Sequence, residues 1–234
     1  MKNIFTFYIL LLLGFFLNAQ NLKSPDNNLD LNFSIDEKGR AFYSLNFHDK
    51  PVILNSGLGF MLKDNVEWMK IDTLDMMNNF KVLNVTFDSV DEYWNPVWGE
   101  ESEIRNNYNE MFVELQQKES ERKVNIRFRL FDDSLGFRYE FPLQEKLGSF
   151  IIIDEKTEFA MSGDHTAIWI PGDYDTQEYN YTTSKLSEIE QKSIEFREEN
   201  VSMYRFSNWA VQTALMMKSQ NGLYINIHEA ALIE

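Results

Sequence analysis

The sequence predicts an all-β protein, a large antiparallel β-sandwich. Three observations lead there. Residues 110–116, 124–131 and 137–141 alternate apolar and polar side chains with the period of half-buried strands. Turn signals separate such stretches at short, regular intervals. Outside the first nineteen residues no apolar pattern repeats at 3.6 residues, so no helices are expected between the strands.

In chain order, Leu29, Leu31, Phe33 and Ile35 alternate with polar residues and read as a strand. Asp36-Glu-Lys-Gly39 turns it into a return strand, Phe42 to Phe47. His48 to Pro51 turns again into Val52-Ile-Leu54, and Leu58 to Leu62 is a further short strand. Trp68 to Phe80 has no clean period, and Phe80 to Phe87 alternates weakly. Pro96 and Gly99 mark an irregular loop that carries Trp94 and Trp98. The three clear strands follow, with Asp132 to Gly136 as the loop between the second and third. Their polar face holds Glu114, Arg127, Arg129, Arg138 and Glu140, a ladder of opposite charges able to pair across strands. Phe150 to Ile153 continues the sheet, and Thr182 to Asn208, rich in Glu and Lys, reads as an exposed excursion. Val211 to Met217 is a strand, and Lys218 to Gly222 turns it into the last one through Asn221-Gly222.

The first nineteen residues combine Lys2, an apolar run from Ile4 to Leu17 and a small residue, Ala19. That is the layout of a cleaved signal peptide, too short for a membrane span. Residues 20–234 then form one domain, and an exported chain without cysteine fits a periplasmic location. Losing Lys2 leaves 21 basic residues against 37 acidic ones, a net charge of −16. So acidic a chain lacks the basic footprint of nucleic-acid or anionic-membrane binding. With no cysteine, any metal is held by oxygen or imidazole, which favours calcium or magnesium.

Candidate chemistry is sparse. In Leu223 to Ile227 apolar and polar residues alternate, and continuing the count puts Glu229 on the apolar parity. Two readings stand: a solvated residue at a strand end, or a carboxylate aimed at a cation. Asp164, His165, Asp173 and Asp175 offer an oxygen-rich metal site, against turn-forming aspartates beside Gly163 and Gly172. Trp94 and Trp98 either cap the core or line a sugar-sized concavity. No phosphate loop, nucleophile elbow or His-Glu-x-x-His motif is present.

Four strings carry more information: Trp94 to Glu110, Arg127 to Pro142, Gly163 to Tyr179 and Asn226 to Ile233. In content and order they resemble the N-terminal domain of glycoside hydrolase family 97. The resemblance covers nearly all of residues 20–234, most loosely from about Leu186 to Ser207. It implies a galactose-mutarotase-like sandwich (a supersandwich) packed on a (β/α)₈ barrel that bears the catalytic carboxylates. The family's enzymes are exo-acting, calcium-dependent α-glycosidases, α-glucosidases or α-galactosidases, acting on α-linked oligosaccharides. It also implies that the sandwich lends one glutamate to the active-site calcium. That glutamate lies in the His-Glu-Ala string and is therefore Glu229. The barrel is not in this sequence. The chain alone is therefore expected neither to hydrolyse glycosides nor to hold calcium, and to carry an apolar docking patch around Glu229 and residues 164–175. The alternative is a free-standing carbohydrate-binding or interaction module using Trp94, Trp98 and Trp169.

Overall fold

Alternation of apolar and polar residues becomes alternation of more and less buried side chains along the clearest strands of a computed structural model, which describes residues 19–64, 73–173, 177–199 and 209–229. The expected signal segment lies outside the described residues apart from Ala19, as do Asp175, part of the 182–208 excursion and part of the 68–80 stretch. The described residues fall into two compact units. One takes residues up to Pro51 together with Asn55–Phe159, the other Val52–Leu54 together with residues from Ala160 onward.

The first unit is built from three sheets. Strands β1 (Gln20–Lys23), β2 (Leu29–Ile35), β3 (Ala41–Phe47) and β4 (Lys50–Leu58) lie in chain order. Strands β5 (Phe60–Asp64) and β6 (Thr73–Met76) join a later strand, β11, to make the order β11-β5-β6. Strands β7 (Phe80–Trp94), β8 (Ile104–Gln117), β9 (Lys123–Leu130) and β10 (Leu135–Glu140) form the third sheet, an antiparallel meander. Strand β11 is Phe150–Glu155. The first and third sheets meet through aromatic side chains. Phe33 lies 5.9 Å from Phe128, and Tyr43 lies 5.5 Å from Phe137, between ring centroids. Such tilted pairs add to the burial of Leu31, Met111, Val113 and Leu130, none of which is exposed. Tyr43 keeps its hydroxyl satisfied by donating to the Glu158 carbonyl at 2.7 Å.

The turn at Asp36 is as expected. Its carboxylate accepts from the Lys38 and Arg40 amides at 3.0 and 2.8 Å, and Gly39 takes φ +72°. A Cβ on Gly39 would stand 2.4 Å from the Phe80 nitrogen, so backbone contact also demands glycine there. The polar ladder on the third sheet forms too, but around a different hub. Glu110, only 8% exposed, receives both Arg127 and Arg129, while Glu140 receives Arg127 and Arg138. Arg127 and Arg129 also stack over Phe112 and Tyr108, 4.4 and 4.5 Å from the ring centres.

The second unit is one four-stranded sheet ordered β13-β12-β14-β15: β13 (Thr182–Lys185), β12 (Thr166–Trp169), β14 (Leu215–Lys218) and β15 (Tyr224–Ile227). Its register aligns Ala167, Met217 and Ile225 on one face. Ala167, Trp169 and Met217 are fully buried there with Ile189. Trp169 Nε1 donates to Ser184 Oγ at 3.0 Å, which satisfies the indole inside the core.

Two expectations need correction. The 182–208 stretch is not simply an exposed excursion: it opens with β13, then a 3₁₀ turn (Leu186–Glu188) and helix α1 (Ile189–Glu199). The helix escapes an apolar-period search because, among its described side chains, only Ile189 and Ser193 are buried. Glu, Gln, Lys and Arg favour the helical backbone without a wide apolar face. Its entry is fixed by Asp164, whose oxygens accept from the Ser187 amide and hydroxyl at 3.0 and 2.8 Å. The second correction concerns Val211 to Met217: regular pairing starts only at Leu215, and Val211 makes an isolated bridge to Pro171. The fold class is the expected one, an all-β antiparallel sandwich.

Candidate functional site

Strand β15 is the edge of the second unit's sheet, and its alternation is as read from the sequence. Ile225 and Ile227 pack toward the buried cluster, whereas Tyr224 and Asn226 are exposed. The strand ends at Ile227. His228 and Glu229 follow it, both exposed. The apolar parity therefore stops before Glu229, whose carboxylate stands in solvent and not in the core. On the sheet's other face Met216 and Tyr224 are exposed, with Lys218 Nζ 5.1 Å from the Tyr224 ring centre. That face interleaves apolar side chains with Lys218 and Asn226.

The described members of the 164–175 loop, Asp164, His165 and Asp173, are not grouped as metal ligands. Asp164 caps the turn before α1, and those hydrogen bonds hold its carboxyl below the usual aspartate range. His165 is buried, with no hydrogen-bond partner at Nε2. Asp173 accepts from the Tyr179 hydroxyl, and its carbonyl accepts from Gln212 at 3.0 Å. Among the described residues no group of three or more His, Asp or Glu is placed to hold a metal. Asp164, His165 and Asp173 are not grouped as metal ligands among the described residues, and the fourth candidate, Asp175, lies outside them.

The tryptophans part company. Trp169 is fully buried, so it offers nothing to a ligand. Trp94 is 49% exposed and Trp98 88% exposed, which overturns core capping as their role. Burial would have required a partner surface, and the β7–β8 hairpin carries both residues beyond its own sheet. An open groove of about 510 Å³, which neither tryptophan lines, is bounded by Leu22, Lys23, Phe87, Asp88 and Asn109. The sequence named neither this groove nor the hairpin's projection. The signal was present in part: Phe80 to Trp94 and Ile104 to Gln117 can pair over their full length, while β9 is only 8 residues long.

Comparison with known proteins gives a consistent answer. A family model described as Glycosyl-hydrolase 97 N-terminal matches residues 22–234. A glycoside hydrolase family 97 enzyme from Pseudoalteromonas sp. strain K8, solved with panose and with acarbose, superposes with a TM-score of 0.74 at 32% identity. The match covers 92% of this chain and 29% of that one. A retaining alpha-galactosidase of Bacteroides thetaiotaomicron is 25% identical over 187 residues, 75% of this chain and 25% of the relative. A beta-arabinopyranosidase shares the fold, with a TM-score of 0.70 at 19% identity. The chain thus spans under a third of the length of each of these relatives.

Proposed function

This chain belongs to the glycosyl-hydrolase 97 N-terminal family, and from that membership we propose that it serves as the non-catalytic sandwich of an exo-acting, calcium-dependent α-glycosidase. The observation that carries the reading is the match over residues 22–234 to under a third of larger glycoside hydrolases. The substrate class is an α-linked oligosaccharide. An α-glucosidase-like specificity is supported by the 32% identity to an enzyme solved with panose, against 25% to the alpha-galactosidase. Residues 1–19 direct export, and the mature chain works in the periplasm.

In this reading Glu229 is one ligand of a calcium ion whose other ligands, like the catalytic carboxylates, come from a barrel domain. Calcium takes six to eight oxygens. Among the described residues no three candidate ligands come together, and in this reading the remaining oxygens are supplied from outside the chain. A solvent-facing carboxylate at the end of an edge strand is compatible with a shell completed from outside. The test is complementation. The chain, the catalytic portion of the Pseudoalteromonas enzyme, and the two joined in one polypeptide are assayed on panose with calcium. Turnover by the joined protein and none by this chain is expected. Robust hydrolysis by the isolated chain would overturn the proposal.

A further inference from the structure

The β7–β8 hairpin outgrows its sheet. Strand β9 pairs with β8 only from Asn109 to Gln116, yet β7 and β8 stay paired from there out to Trp94 and Ile104. The outer pairs, from Val90 with Tyr108 to Trp94 with Ile104, form a two-stranded ribbon. Such a ribbon is marginal in water by itself. This one is braced by polar pairs across its strands. Arg105 grips Asp91 through two hydrogen bonds of 2.7 and 2.8 Å, Asn106 donates to Glu92 at 2.9 Å, and Asn95 closes the loop on the Ser102 carbonyl at 2.8 Å. The brace holds up an apolar tip. Trp94 and Ile104 face each other on one side, and beyond them Val97 and Trp98 are 100% and 88% exposed. Glu92, Glu100, Glu101 and Glu103 surround that tip and are exposed as well.

We propose that this ribbon is a docking arm: its Trp94–Val97–Trp98 tip inserts into the catalytic portion of the family polypeptide. The proposal rests on the reading under Proposed function and adds a contact that reading did not contain. Three observations favour this occupant. The tip projects past the last β8–β9 pair on a hydrogen-bonded ribbon, so it can enter a pocket, whereas sugars are bound in concave sites. Exposed tryptophans at this density are typical of interface anchors and costly to leave in water. The relatives that this chain matches over 92% of its own length hold about 70% of their residues outside the match, which is ample for a receiving surface. The acidic collar calls for basic residues around that pocket.

Amide hydrogen exchange tests it. This chain is measured alone and joined to the catalytic portion of the Pseudoalteromonas enzyme. Amides of residues 92–104 are expected to exchange at least tenfold more slowly in the joined protein. Trp98→Ser, at an exposed position, is expected to restore their fast exchange without changing the melting of the isolated chain. If β15 gains protection on joining but the ribbon does not, the arm is refuted and the domain reading survives. If neither gains protection, the domain reading falls as well. Protection of the ribbon in the isolated chain by panose, or by self-association seen in sedimentation, would also overturn the proposal.

Discussion

Glu140 shows how much of this molecule's electrostatics is decided at one side chain. The hydrogen bond from Arg127, and then that from Arg138, holds its carboxyl below the usual glutamate value of 4.5. A carboxylate with a lowered folded pKa stabilises above its unfolded pKa and loses that contribution as pH falls through the folded value. Wild-type protein should therefore lose stability as pH drops below about 4.5, the ordinary value for the group. In urea unfolding, Glu140→Gln should be the weaker protein at pH 7, and the gap should narrow toward pH 3. A gap that stays constant would mean that the ladder does not tune this group. Tyr43 makes a second local case. Its phenol is buried, burial raises its pKa, and its hydroxyl donates to the Glu158 carbonyl. Tyr43→Phe leaves that carbonyl without its donor and should cost about 1–2 kcal/mol.

At the scale of elements, the two kinds of tryptophan should behave oppositely. Trp169 sits in β12 with its ring in the second unit's core and its indole nitrogen on Ser184. Trp169→Ala should destabilise by about 3–5 kcal/mol, through lost burial and the cavity left behind. Trp98→Ser, in the ribbon loop, should leave thermal melting of the isolated chain unchanged within error. If the second variant were the more harmful one, the loop would be part of the core. Most elements were legible in the sequence because burial alternates along them: Leu29 to Ser34 and Val124 to Leu130 alternate as read, and only at Ile35 does the first strand's pattern lapse. Helix α1 was not legible, since its Glu, Gln, Lys and Arg residues favour the helical backbone without a visible apolar period, and Asp164 fixes the 3₁₀ turn that leads into it. Strand β12 was hidden for another reason: its Gly-Asp-His-Thr lead-in reads as a turn, and only pairing with β13 and β14 makes Thr166–Trp169 a strand.

At the scale of the whole molecule, family and fold were legible from four strings in order, because unusual residue runs survive where periodicity alone is ambiguous. The candidate site was less so. Parity placed Ile225 and Ile227 correctly and then ran past the end of the strand, where the alternation no longer constrains Glu229. Asp164, His165 and Asp173 looked like ligands by type, yet Asp164 and Asp173 are hydrogen-bonded to Ser187 and Tyr179, and His165 is buried. What stands out among the described residues is an exposed carboxylate, Glu229, just past an edge strand, and a braced apolar ribbon.

The most direct measurement is calcium titration by calorimetry on the chain joined to the catalytic portion of its Pseudoalteromonas relative. The account predicts binding to the joined protein, a loss of at least tenfold in affinity on Glu229→Gln, and no binding to this chain alone. Unchanged affinity in the Glu229→Gln protein would contradict it.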